Sequence, residues 1–261
     1  MVDFFSKDLF ETFQSMLNLD LDQSFSLIGK KNWNTEEFKF ATAVSVMSSS
    51  RIEGEALAVD SYVKHKLLKV DYLPELIERP NDLFNAYEFA RDNGLSRNNI
   101  FEVHRILSKH LLPEENRGRI RSGNMIVFDQ QSQTVKYEAA HASIVHEEME
   151  LFFNELDELL QSKLTTNEVF YFASLIHLVF VKIHPFDDGN GRTARLLEKW
   201  FLSAHLGENA WFVPSESNYF NTLSEYYHNL ALVGMYYDQL DYGKSLPFLL
   251  MTTKAMLNHF D

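Results

Sequence analysis

The segment TTNEVFYFASLIHLVFVKI, residues 165–183, constrains the fold more than any other part of this 261-residue chain. Thr165 and Glu168 have capping-box spacing, which predicts a helix starting there and running to about Ile183. That helix is apolar on nearly every side, so other elements must wrap it completely. It reads as too short and too interrupted for a bilayer span, and as the buried centre of a helical protein. His177 in its middle reads as a satisfied core histidine rather than a metal ligand.

The rest of the chain supplies helices to do the wrapping. Asn34, with Glu37 three residues on, can cap a helix that carries Phe38, Ala41, Val44 and Ser48 along one stripe. Further helices are predicted at about Leu57–Leu68, Asn81–Arg91, Arg97–Leu112 and Ser143–Leu160, punctuated by Pro80, Gly94 and Pro113. Another begins soon after Gly189 and ends at Gly207, and helices continue over the last sixty residues. Only the stretch RSGNMIVFDQQSQTVKYE differs: MIVF and TVKY are β-forming runs parted by polar residues, the signature of one hairpin. The acids of HEEMELFFNELDELL read as a solvated helix face. No repeat or linker appears, so the expectation is a single mainly α unit.

The net charge of −13 and the absence of cysteine exclude several classes of function. The acidic balance argues against a nucleic-acid partner while leaving room for a local basic pocket. Without cysteine there are no disulfides, thiolate metal sites or cysteine nucleophiles. The opening MVDFFSKDLF lacks the apolar run of a secretory signal. A cytoplasmic protein that binds no membrane is the default expectation.

Chemistry concentrates in IHPFDDGNGRTAR, residues 183–195, which joins two predicted helices. Gly189 and Gly191 let backbone amides converge at the start of the second helix, an anion-binding arrangement at the positive end of the helix dipole. Arg192 and Arg195, three apart, project from its first turn. Asp188 is a hard oxygen ligand suited to Mg2+ on phosphates, and His184 titrates near neutrality as a general base should. GNGRTA also fits a dinucleotide fingerprint, but no strand ends at its first glycine and no parallel-sheet pattern follows. A Walker A sequence is absent, and HEEME lacks the second histidine of a zinc-protease helix. A plain glycine-rich connection with solvated arginines is the remaining competitor.

A second stretch breaks a local rule. In SSSRIEGE, residues 48–55, Ser49 and Glu53 share a helix face just before Gly54, which should stop the helix. Glu53 therefore lies at the negative end of the helix dipole, where a carboxylate is disfavoured.

The run His184-Pro-Phe-Asp-Asp-Gly-Asn-Gly-Arg-Thr-Ala-Arg195 matches every fixed position of the Fic motif, H-x-F-x-[DE]-G-N-G-R-x-x-R, so the chain resembles the Fic (Fido) family. EVHRILSKHLL, GRIRSGNMIV (with Ile120 for the usual aromatic) and SEYYHNL agree with family segments around it. The resemblance implies the Fic helical fold: a central buried helix, a nucleotide-binding helix–loop–helix and a β-hairpin flap. It divides the chain into an N-terminal region, 1–96, and a Fic domain, 97–255, packed as one unit. It implies transfer of AMP from ATP to a Ser, Thr or Tyr hydroxyl of a target protein. In that reaction His184 would be the base, Asp188 would hold Mg2+, and Phe186 would anchor the loop. Gly189, Asn190, Gly191, Arg192 and Arg195 would bind phosphate. Tyr226 and Tyr227 would lie against the adenine or serve as core aromatics, and the flap at Val127 and Phe128 would complete the nucleotide site and dock the target. Ser49 to Gly54 fits the family's inhibitory pattern [ST]-x-x-x-E-[GN], which implies that Glu53 pairs with Arg195 and that Ser49 fixes it. Removal of AMP by the same site, and nucleotide binding without turnover, stay open alternatives, as does a homodimer. The residues after the motif leave no room for the DNA-binding winged helix of longer relatives.

Overall fold

The computed structural model describes residues 4–29, 34–129 and 134–257. Helices α1 (Phe10–Ser15), α2 (Leu21–Gly29), α3 (Thr35–Ile52), α4 (Val59–Leu68), α5 (Pro74–Asp92) and α6 (Arg97–Leu107) come first. An antiparallel hairpin of β1 (Ile126–Asp129) and β2 (Thr134–Glu138) follows. Next are α7 (Val145–Gln161), α8 (Thr166–Ile183) and α9 (Asn190–Leu206). Four shorter helices, α10 (Ser215–Asn221), α11 (Leu223–Leu232), α12 (Leu246–Leu249) and α13 (Met251–Leu257), complete the set.

Helix α8 is the axis of the molecule. Its capping box forms as the Thr165 and Glu168 spacing requires, and from Val169 to Ile183 every residue but Val181 is buried. Helix α9 runs along it, and α1, α2, α7, α12 and α13 close around the remaining sides. Phe180 shows the packing: its ring sits between Phe152 of α7 and Phe186 of the following loop, with centroids 5.6 and 5.9 Å away. Length and composition alone would let Thr166–Ile183 cross a membrane, contrary to the sequence argument, but 78% of it is buried inside the protein. The surrounding helices, not lipid, take up its apolar surface.

Helix α3 forms behind its own capping box, with Asn34 Oδ1 accepting from the amides of Glu36 and Glu37 at 2.9 and 3.0 Å. It packs against α4, α5 and α10 and reaches the start of α9. Gly54, at φ 91°, takes the left-handed conformation that ends it. Two boundaries differ from expectation. Helix α5 starts at Pro74 and runs through Pro80, because Leu83, Phe84, Ala86 and Tyr87 on its inner face are buried and offset one missing amide bond. Helix α6 ends at Leu107, where Ser108 turns its hydroxyl back to the His104 carbonyl.

In the hairpin the register shifts between Val127 and Phe128, a bulge of the kind that twists an edge strand. At its base the Glu138 amide donates to the Met235 carbonyl at 2.8 Å. This ties β2 to the segment after α11 and leaves β1 as the outer edge. The tip, 130–133, lies outside the described residues.

Core truncation tests the central role of α8. Phe180→Ala should lower unfolding stability by about 3–5 kcal/mol, against about 1 kcal/mol for the cap change Thr165→Ala. Denaturant titration of both variants separates the two; equal losses would contradict a wrapped central helix.

Candidate active site

The loop between α8 and α9 is fastened by three side chains, those of Arg121, Asn190 and His104. His184 ends α8 in the left-handed region at φ 55°, an uncommon conformation for a non-glycine residue. Arg121, buried, donates to the carbonyls of His184 at 2.8 Å and Gly123 at 2.6 Å, and also to that of Ala140. It brings a cation to the negative end of α8. Asn190 closes the loop on itself: its Oδ1 accepts from the Phe186 amide at 2.9 Å and its Nδ2 donates to the Phe186 carbonyl at 2.7 Å. His104 of α6 stacks on the Phe186 ring with centroids 3.6 Å apart.

His104 also fixes the loop's height above α6. Its Nε2 donates to the Asp188 carbonyl and its Nδ1 accepts from the Gly118 amide, each at 2.9 Å. Both bonds require a neutral ring, and burial pulls this imidazole down to about 4. Gly189 passes directly over it at φ 80°, where a Cβ would lie 2.9 Å from Leu107 Cδ1 and 3.4 Å from His104 Nε2. Because the N-cap is glycine, no side chain caps α9, and its first-turn amides remain available to an anion.

His184 presents a defined tautomer. A carbonyl can only accept, so the 2.9 Å contact between Nδ1 and the Val181 carbonyl places the proton on Nδ1 and leaves the Nε2 lone pair free. Burial lowers its pKa, and the Arg121 charge acts in the same direction, so the ring is neutral at pH 7.

Arg195 is 1% exposed, and every one of its guanidinium nitrogens is occupied. Nε donates to Ser49 Oγ at 2.8 Å, Nη2 to the Ser49 carbonyl at 3.2 Å and to Glu53 Oε1 at 2.5 Å, and Nη1 to the Tyr226 hydroxyl at 3.2 Å. The residues contributed by α3 and its cap thus enclose the arginine from one side. Tyr227 clamps the same helix end by donating to the Ile52 carbonyl at 3.1 Å. Gly191 leaves room for this arrangement, since a Cβ there would stand 2.5 Å from Glu53 Oε1. Arg192 is buried too, yet its Nε has no partner among the described residues and its Nη2 reaches only Glu55 at 3.5 Å.

This geometry answers the dipole objection to Glu53. Desolvation pushes its carboxyl pKa up, but the charges of Arg195 and Arg192 and the Arg195 hydrogen bond more than reverse that, so the net shift is downward. The carboxylate is favoured despite its position at a helix end because two cations face it.

Asp188 is an exposed carboxylate at the rim of the loop, with Oδ1 taken by the Gly189 amide at 2.6 Å. Among the described residues no group of three or more acids and histidines gathers as a metal site. A magnesium ion held by one carboxylate and by a nucleotide's own phosphate oxygens fits that donor set.

The expected residues therefore fall into two groups. Ser49 and Glu53 meet Arg195 of α9, Gly191 in the first turn of that helix packs beside Glu53, and His184, Asp188 and Gly189 lie in the loop just before it. Asn190, expected to bind phosphate, is 2% exposed and spends its side chain on the loop. Tyr226 is 1% exposed, so its ring is closed to a base and its hydroxyl serves Arg195 instead; Tyr227 is half exposed. Val127 and Phe128 lie on β1 at the bulge. His104, Arg121 and Glu55 escaped the sequence reading, although His104 and Arg121 lie in segments that resemble the family.

Comparison with known proteins bears on the family and the fold. Residues 94–202 match the Fic/DOC family. A protein adenylyltransferase Fic from Nematostella vectensis is 32% identical over 168 residues, which are 63% of this chain and 33% of that protein. One from Drosophila erecta is 31% identical over 134 residues, 51% of this chain and 23% of the other. The match thus spans a third or less of these relatives. A uridine 5′-monophosphate transferase from Xanthomonas campestris is 56% identical over 34 residues, covering 13% of this chain and 6% of that protein. The fold matches a Fic family protein from Desulfovibrio desulfuricans with TM-score 0.73, at 23% identity, over 91% of this chain and 71% of that one. It also matches Fic-1 from C. elegans with TM-score 0.64, at 19% identity, over 95% and 69%.

The lowered Glu53 pKa has a stability signature. A depressed carboxyl pKa contributes stability above the ordinary carboxylate value, and this is lost as pH falls through the folded value. The stability gap between wild type and Glu53→Gln should therefore be constant above about pH 4.5 and shrink below it. Thermal unfolding across pH measures this; a gap that widens on acidification would contradict the ion pair.

Proposed function

We propose that this chain, which carries a Fic/DOC-family domain, transfers AMP from ATP to a hydroxyl of a target protein and is held inactive by Glu53. The observation that carries this reading is a buried arginine at an uncapped helix start, next to a neutral histidine, with an internal carboxylate occupying the arginine's open side. The polyphosphate would take the place of that carboxylate. The names of the matched relatives supply the adenylyl group; the geometry supports the use of a polyanionic substrate.

In the proposed reaction His184 Nε2 accepts the proton of the target Ser, Thr or Tyr hydroxyl. The oxygen attacks the α-phosphorus, the bond from that phosphorus to the β-phosphate's bridging oxygen breaks, and pyrophosphate leaves. The first-turn amides of α9, Arg192 and Arg195 hold the β- and γ-phosphates, so negative charge that moves onto the leaving group meets fixed positive charge. When bound at Asp188, Mg2+ would neutralise phosphate oxygens. His104, Arg121 and Asn190 keep His184 and the amides in register without touching substrate. The free edge of β1 suits pairing with an extended segment of the target, in which backbone bonds align the hydroxyl.

Glu53 inhibits in this scheme by satisfying Arg195 before a γ-phosphate arrives. Ser49 holds the arginine in that pose, and Glu55 partly neutralises Arg192. The Xanthomonas relative's name makes a uridylyl donor the second reading for nucleotide choice.

Label transfer tests the proposal. With α-labelled ATP and Mg2+, Glu53→Gly should label protein at least about tenfold faster than wild type, the gain from releasing about 1.4 kcal/mol of inhibition. His184→Ala in the same background should abolish labelling. Because the His184 pKa is lowered, the rate should hold down through pH 6.5 and fall only below it. Transfer from γ-labelled ATP instead would contradict the adenylyl reading, and preference for α-labelled UTP would favour the uridylyl one.

A further inference from the structure

Of the four acceptors that surround the Arg195 guanidinium, three belong to Ser49 and Glu53, on α3 and its cap, and the fourth, the Tyr226 hydroxyl, is on α11. Its further contacts form a chain whose direction chemistry dictates. An arginine only donates, so the Tyr226 oxygen accepts from Nη1 at 3.2 Å. A carboxylate only accepts, so the 2.6 Å contact between His177 Nδ1 and Glu198 Oε2 places the imidazole proton on Nδ1. In a neutral ring Nε2 is then the acceptor and takes the phenolic proton of Tyr226, 3.0 Å away. Burial lowers the His177 pKa, which keeps the ring neutral, as a one-way chain needs.

Glu198 has no exposure and is well supplied with donors. Tyr219 donates to Oε2 at 2.6 Å and Thr252 to Oε1 at 3.1 Å. Glu198 and Arg195 are three residues apart on α9, but among the described residues no hydrogen bond or ion pair joins their side chains; the link passes through α8 and α11. A buried carboxylate with its donors in place is a counter-charge for a buried cation. Nothing in the proposed phosphate chemistry uses His177, Tyr226 or Glu198.

We infer that Tyr226, His177 and Glu198 are positioning residues, a one-directional hydrogen-bond chain that holds Arg195 in its anion-facing pose after Glu53 withdraws. The inference rests on the reading of Arg195 as a polyphosphate-binding group. It also explains how the arginine can lose its inhibitory partner without being left buried and uncompensated.

Two measurements test it. The first uses no nucleotide: Tyr226→Phe, which removes one oxygen, should lower the melting temperature more in the Glu53→Gly protein than in the wild type. In the former the hydroxyl carries more of the arginine's support, so equal shifts would overturn the chain's role. The second is calorimetric titration of the Glu53→Gly protein, with and without Tyr226→Phe, using α,β-methylene-ATP and AMP. Affinity for the triphosphate should fall about tenfold, as expected when one hydrogen bond to a charged group is lost, while AMP affinity stays within about twofold. Equal loss for both ligands, or no loss for either, would overturn the proposal. Glu198→Gln should shift triphosphate affinity in the same direction. If that variant does not fold, Tyr226→Phe decides alone. Absence of triphosphate binding by Glu53→Gly itself would count against the nucleotide reading, and the melting comparison would still judge the chain.

Discussion

A guanidinium buried as deeply as that of Arg195 cannot stand without acceptors around it, and the arrangement of this protein's site follows from meeting that demand. Removing a cation from water costs several kcal/mol unless hydrogen bonds and opposite charge replace the solvent. Here Ser49 and Glu53 supply three of the four acceptors and the Tyr226 hydroxyl the fourth. In the proposed reaction a phosphate replaces the acceptors on the α3 side, while the one on α11 remains.

The scaffold makes that exchange precise. The closed packing around α8 fixes where its C-terminal end emerges, and Arg121 gathers the carbonyls there. His104 then sets the loop against α6 through a stack and two hydrogen bonds. Asn190 closes the turn so that α9 starts with open amides. Each contact acts at a distance from the reacting atoms, yet each determines where His184 and the amides point. The second buried ion pair, Lys199 with Glu216 at 2.5 Å, also touches α3, since Lys199 donates to Ser45 at 2.8 Å. Ser45, Ser49 and Glu53 thus form one polar face of α3 against Arg195 and Lys199 of α9, and α3 is seated along its length rather than at its tip alone.

Much of this was legible in the sequence, for a physical reason. Both capping boxes, the all-round apolar character of α8 and the glycines that end α3 and α9 are short-range signals carried by residues close in the chain. The motif likewise placed His184, Asp188 and the two arginines at one helix–loop–helix junction. What escaped was the pairing of polar groups across helices. Nothing local shows that Asn190 turns inward, that Tyr226 lies behind an arginine, or that His177 connects it to Glu198. Periodicity reports which faces are buried, not which buried polar groups meet. Glu53 is intermediate: its odd place at a helix end was visible, but its partner, 142 residues away, came only from the family resemblance. The helix running through Pro80 was missed because buried apolar contacts outweighed a local breaking signal.

In the proposed mechanism the charge of Glu53, not merely its bulk, keeps Arg195 from a polyphosphate. Glu53→Gln keeps the shape and removes the charge, so the rate of α-label transfer from ATP in that variant is the most direct test. That rate should rise well above wild type and approach that of Glu53→Gly. A Glu53→Gln protein as silent as wild type, beside an active Glu53→Gly, would contradict the mechanism and assign the inhibition to steric blockade.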